Sequence, residues 1–365
     1  MTTHMIISAD SHVQEPDEIY DERLPAKFRE RVPHVEVRDG KRFFIVEGRK
    51  PRRLDLAEAR ETPEDQEREF RNDPSGGRDI ERRLGDLDRD GVDAEVIYPN
   101  DSLAVFQSPD PEYQMAMAQA YNDWISEWFG GHRDRFAPVG VLPVADIAAA
   151  VTEVQRAAGL GLRALKVPIV ANDCPYHRPE YEPLWAALEE AGLVLTFHSF
   201  TNDRDQYPDD WGEEDGYGGA LSFMALSMAE GVQPVTYMIS SGALERHPNL
   251  KMAVVESGAG WLAWLLHVLD EQVAKKHMWV RPRLALKPSE YFKRQGYVTF
   301  SDDPMALKNI EFTGTDCLMW GSDYPHDEGT FPHSREVIER TFVGLSESDR
   351  TKIVHDNAAE LYGFA

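Results

Sequence analysis

Eight short apolar runs alternate with helical patterns along most of this 365-residue chain, and that alternation limits the fold more than any other feature. The runs lie at 5–9, 94–98, 135–142, 163–167, 193–198, 252–256, 297–301 and 317–321. They are apolar on both sides, as strands of a parallel sheet must be when helices cover both of its faces. Helical stretches lie between several of them. One spans 145–158 and ends at Gly159. A second spans 180–191 and ends at Gly192, a residue that caps a helix C-terminus at no steric cost. A third begins after Gly260 with Trp261, Leu262, Trp264, Leu265 and Leu269. Strand–helix alternation repeated eight times predicts an α/β chain folded as a (β/α)8 TIM barrel. Residues 1–365 therefore read as one barrel domain.

Residues 17–90 break the pattern and read as an insertion or cap after the first strand. Within it, 35–46 predicts a hairpin turning at Asp39-Gly40, a pair that accepts the positive φ angles of a tight turn. Residues 50–79 are dense in charge and poor in aliphatics; an exposed flap and a disordered loop both fit. A second irregular stretch, 201–219, follows the fifth strand. Long loops at that end of barrel strands stand over the active site.

Composition removes several function classes. The formal net charge of −25 argues against nucleic acid and against an anionic membrane surface, because both need basic protein faces. No apolar stretch reaches membrane-spanning length; 254–269 comes nearest and is broken by Glu256, glycines and His267. The start lacks the basic and apolar regions of a signal peptide, and two isolated cysteines, Cys174 and Cys317, make no framework. A cytoplasmic protein is expected.

Catalytic groups of such barrels sit at the C-terminal ends of the strands. The first strand ends in Asp10-Ser-His12, whose side chains share a face if the chain stays extended. The fourth offers Lys166, the fifth His198, the sixth Glu256, and the eighth Asp323 and His326. Each has a structural alternative: His198 as a satisfied core histidine, Glu256 as a helix cap, Asp323 as a turn residue. Together they form a donor set that core packing does not explain. Lys166 and Arg163 are candidates for holding a substrate carboxylate. Trp211 and Tyr217 are candidates for an apolar pocket wall.

Four segments carry a family resemblance: 8–16, 195–198, 247–261 and 320–326. With them the chain resembles the amidohydrolase-related family that includes aminocarboxymuconate-semialdehyde and resorcylate decarboxylases. The resemblance implies a TIM barrel with a divalent metal at its mouth and suggests a homodimer. It also implies that His12, His198 and Asp323 are ligands.

Two positions depart from the family pattern. Asp10 stands where the family often has histidine, and Glu256 ends the sixth strand in place of another. Carboxylates suit harder ions than imidazoles do, so a ligand set of Asp10, His12, His198, Glu256 and Asp323 points to iron, as one ion or two, with manganese or zinc as alternatives. Two chemistries follow. One is O2 activation at a nonheme diiron centre by a monooxygenase acting on a small, largely apolar acid. The other is hydrolysis or nonoxidative decarboxylation of a small cyclic carboxylic acid, with Asp323, His326 and Glu256 moving protons. A barrel that only binds a ligand leaves so many donors at strand ends unexplained.

Overall fold

The computed structural model describes residues 5–16, 18–53, 75–100, 105–203, 208, 216–326 and 328–364. All eight predicted strands form. They are β1 (Ile7–Val13), β5 (Ala94–Pro99), β6 (Phe136–Val141), β7 (Ala164–Pro168), β8 (Val194–His198), β9 (Met252–Val255), β10 (Gly296–Phe300) and β11 (Leu318–Trp320). They pair in parallel in that order, each with its successor in sequence. The barrel closes where the chain just past β11 meets β1. His12 N–H donates to Tyr324 O at 2.6 Å, and Asp323 N–H donates to Asp10 O at 2.8 Å.

That seam depends on Gly321. A Cβ there would lie 2.5 Å from the Cβ of Asp10, so any other residue would push β1 and the β11 end apart. Three buried hydroxyls knit the seam. Ser8 Oγ accepts from Ser322 N–H at 2.8 Å and lies 2.9 Å from Ser11 Oγ and 3.0 Å from Ser322 Oγ.

β1 runs further than its apolar stretch predicts. Its pairing with β5 continues through Val13 opposite Pro99, with a register irregularity between Ser8 and Ser11. Asp10 and His12 therefore belong to the strand rather than to the loop behind it. The neighbouring ladder, and not side-chain hydrophobicity, decides where the strand stops.

Small inward residues fill the lower barrel, among them Ala9, Ala94, Val96, Ala137, Val139, Ala164 and Val255. The outward side chains, such as Leu165, Val167, Leu195, Phe197 and Val254, join the helices in a much larger outer core. This two-sided burial explains why the strands read as continuous apolar runs. The predicted helices form as Ile147–Gly159, Glu182–Ala191 and Leu262–Lys276. No helix among the described residues is long and apolar enough to cross a membrane.

The predicted hairpin forms as β2 (His34–Arg38) and β3 (Lys41–Ile45), with β4 (Arg52–Arg53) pairing on β3. Asp39 and Gly40 both take positive φ, 51° and 75°, as a two-residue turn of this hand requires. Arg31 ties this region to the barrel. It donates to Glu47 at 2.6 Å and to Asp110 at 2.8 Å, and its backbone carbonyl accepts from Tyr113. The predicted flap at 50–79 falls largely on 54–74, outside the described residues, as does most of the loop predicted at 201–219.

Candidate metal centre

Two strand ends, those of β1 and β8, bring Asp10, His12 and His198 together. His12 Nε2 lies 3.6 Å from Asp10 Oδ1, and His198 Nε2 lies 3.5 Å from the same oxygen. The ligand atoms of the three residues all lie within 4.8 Å of one another, and all three side chains are buried.

The backbone decides which imidazole nitrogen is available. His12 Nδ1 faces Pro99 O at 3.1 Å, and His198 Nδ1 faces Ser199 O at 3.1 Å. A carbonyl only accepts, so both Nδ1 atoms carry the hydrogen and both Nε2 atoms keep a lone pair. Asp10 Oδ1, His12 Nε2 and His198 Nε2 then make no hydrogen bond at all, although each is buried. An orphaned buried acceptor costs about 1–3 kcal/mol. Three of them converging on one point form a cradle for a cation.

A second group adjoins the first. Asp323 Oδ1 is 3.3 Å from His12 Nε2 and 2.9 Å from His326 Nδ1. Ligand atoms of Glu256, Asp323, His326 and Glu328 also lie within 4.8 Å of one another. Glu256 sits differently from the expected ligand set: its Oε2 reaches the rear nitrogen of His198, Nδ1, at 3.1 Å. It therefore backs that imidazole, while the front nitrogen stays free for a ligand. Glu256 and Asp323 both hold positive φ, 56° and 59°, a strained choice for residues with a Cβ that clusters at functional sites.

Burial dominates the electrostatics. It pushes Asp10 up to about 7, with the Asp323 charge adding to it. Burial also drives Glu256 well above the carboxylate range and lowers His12 to about 4 and His198 to about 3. Both shifts disfavour the charged forms that would turn the 3.1 Å approach of His198 and Glu256 into an ion pair. Asp323 behaves in the opposite way. Burial works against its charge, yet His326 and His12 hold it well below the usual range. His326 rises to about 9 against the cost of burial, through the Asp323 charge and hydrogen bond. A bound cation would hold Asp10 ionised and the two imidazoles neutral.

Lys166 points inward from β7. It is fully buried, its Nζ has no hydrogen-bond partner, and it lies 4.9 Å from the ring centre of Phe106. Burial pushes its amine well below the usual lysine value; Glu15 and Glu256 act the other way.

Two expected substrate contacts are corrected. Arg163 precedes β7, so it sits exposed at the opposite end of the barrel. Tyr217 is fully exposed among the described residues, where a pocket-lining side chain was expected. Trp211 lies outside the described residues.

Four contributors were not expected. Asn100 Oδ1 faces His326 Nε2 at 3.2 Å, and Thr299 Oγ1 donates to Asp10 Oδ2 at 3.5 Å. Glu328 joins the second group. Arg83 donates to the carbonyl of His12 at 2.7 Å while paired with Glu95 at 2.6 Å, both fully buried. Asn100 and Thr299 could have been found by extending the strand-end search to the second and seventh strands, and Glu328 by reading two residues past His326. Arg83 carried no signal, because it sits on a charged helix, Ile80–Asp90, that looks solvated.

The amidohydrolase family model matches residues 9–364. Gamma-resorcylate decarboxylase from Rhizobium sp. (strain MTP-10005) is 26% identical over 294 residues, which cover 77% of this chain and 86% of that one. A crystal structure of an amidohydrolase from Mycobacterium avium subsp. paratuberculosis K-10 superposes with a TM-score of 0.79 at 22% identity, covering 100% of both chains. A dihydroxybenzoic acid decarboxylase from Polaromonas sp. JS666, solved with bound manganese and the inhibitor 2-nitroresorcinol, gives 0.64 at 19% identity, covering 99% of this chain and 97% of that one.

Proposed function

The chain belongs to the amidohydrolase family, and from that premise we propose that it is a metal-dependent nonoxidative decarboxylase of a small aromatic or cyclic carboxylic acid. The observation that carries this reading is the convergence of Asp10 Oδ1, His12 Nε2 and His198 Nε2, buried and without partners. Asp10, His12 and His198, with Asp323 beside them, would hold one divalent ion, and the two carboxylates suit manganese better than zinc. The manganese in the Polaromonas decarboxylase supports that choice. When bound, the ion would polarise an oxygen of the substrate.

The chain's own groups account for the rest. Both ring nitrogens of His326 face acceptors, Asp323 Oδ1 and Asn100 Oδ1, so the ring carries two protons. The Asp323–His326 pair thus stores the one proton that decarboxylation consumes, on Nδ1 of His326. That proton passes through Asp323 to the ring carbon bearing the carboxylate. The carbon–carbon bond then breaks, its electron pair returns to the ring and CO2 departs. Solvent restores the proton to the pair. Glu256 keeps His198 oriented, and Lys166 would bind an acidic oxygen of the substrate beneath Phe106.

A second reading, oxygen activation at a two-iron centre, is favoured by one observation. The Glu256, Asp323, His326 and Glu328 group adjoins the first cradle through Asp323 and offers room for a second ion. The decarboxylase relatives favour the first reading over it. Metal content and gas exchange decide between them. One manganese per chain and CO2 release from hydroxybenzoates without oxygen supports decarboxylation. Two irons per chain with oxygen-dependent product overturns it.

A further inference from the structure

At the end of the barrel away from Asp10, a cavity of ≈ 450 Å³ opens between the starts of β6 and β7 and the chain after the last helix, Asn357–Tyr362. Arg133 and Arg163 line it together with Ser126, Phe136, Tyr362 and Phe364, and no carboxylate is among its described lining residues.

Arg133 is fixed by neutral groups alone. It donates to Gly161 O at 2.8 Å, to Ser126 O at 3.1 Å and to Ser126 Oγ at 2.9 Å. These bonds aim its guanidinium but leave its charge uncancelled. Arg163 stands over the backbone of Gly363, where a Cβ would lie 3.6 Å from its Cζ. It enters no ion pair among the described residues. The two charges are close enough that Arg163 adds to the burial that lowers the pKa of Arg133.

This arrangement is hard to explain as a surface accident. The chain has 64 acidic and 39 basic residues, so a pair of arginines without an acid is the less expected outcome. Two like charges held at one cavity repel unless an anion joins them. Planar guanidinium groups bind oxyanions through paired N–H donors, and the volume is that of a small-ligand site.

We propose that the N-terminal mouth of the barrel is a binding site for a compact oxyanion, phosphate or carboxylate, held between Arg133 and Arg163. The site stands apart from the metal centre and does not depend on the decarboxylase reading.

The test is isothermal titration of the full chain with inorganic phosphate at constant ionic strength, with malonate run in parallel to separate phosphate from carboxylate recognition. Saturable binding of either anion is expected, weakened at least about tenfold, the effect of one lost charge-assisted bond, in Arg163→Ala. Arg163 is exposed, so this variant keeps its fold, whereas Arg133→Ala would lose four backbone and hydroxyl contacts. An Asp10→Ala chain separates this site from the metal centre and should bind as the wild type does. No saturable binding by the wild type, an unchanged affinity in Arg163→Ala, or loss of binding in Asp10→Ala overturns the proposal.

Discussion

One oxygen of Asp323 faces two imidazoles: Oδ1 lies 2.9 Å from His326 Nδ1 and 3.3 Å from His12 Nε2. This carboxylate therefore joins the cation cradle to the proton store. In Asp323→Asn an acceptor for His326 Nδ1 remains but the negative charge is gone, and His326 loses the main support for its second proton. Turnover should fall by about 10²–10⁴-fold, the range for loss of a positioned acid–base group. Steady-state kinetics of metal-loaded protein checks it; a fall of less than tenfold would remove Asp323 from the proton path.

Asp10 Oδ1 is the atom shared by both imidazoles of the cradle. Asp10→Ala should lower metal content well below that of the wild type after identical purification and dialysis. Elemental analysis reads this directly, whatever the reaction catalysed. Chelation of the wild type should abolish turnover, and re-addition of the divalent ion should restore it.

Lys166 is a buried amine without a hydrogen-bond partner. Lys166→Met keeps the length and removes the charge. KM for an acidic substrate should rise by about 10–100-fold, the worth of one charge-assisted hydrogen bond, with kcat changed less. The melting temperature should hold or rise, because the variant no longer buries a polar group in the free protein. A lower melting temperature with unchanged KM would show that Lys166 serves the fold instead.

Arg83 and Glu95 are a fully buried ion pair whose other arm grips the carbonyl of His12. Removing one partner of such a pair costs about 3–5 kcal/mol, because the other charge is left uncompensated. Glu95→Ala should lower stability by that order in a denaturant titration. Metal affinity should weaken as well, since β1 loses an anchor beside its ligand.

Asp90 tests a pH effect away from the site. Burial raises its pKa to about 6 from 3.8, against hydrogen bonds from Ser334 that favour its charge. The folded state therefore holds the proton more tightly than the unfolded chain. The sign follows: stability from this group is fully present below about pH 4 and is lost as pH rises through about 6. Asp90→Asn should gain on the wild type across that window and keep a constant lead above it, as read by melting temperature against pH. A difference that does not change with pH would disprove the raised value.

The eight strands were legible because each is buried on both faces and so carries an unbroken apolar run. The hairpin was legible because Asp39-Gly40 suits only a narrow set of turns. Asp10, His12, His198, Asp323 and His326 were legible as donors because a barrel puts its chemistry at one set of strand ends. Arg163 was misplaced for the same reason in reverse: it stands at the start of its strand, three residues before Lys166, and strand direction alone sends the two to opposite ends of the barrel.

Sequence by itself determined the barrel, the family and the residue types at its mouth, since these follow from local pattern and from order along the chain. Tertiary structure alone decided how those residues divide. The carbonyls of Pro99 and Ser199 fix which imidazole nitrogen is free. Glu256 turns to the back of His198, Gly321 lets β11 close against Asp10, and Arg83 reaches across to hold His12. Each depends on a distance between segments far apart in sequence, and such distances are set only when the barrel closes.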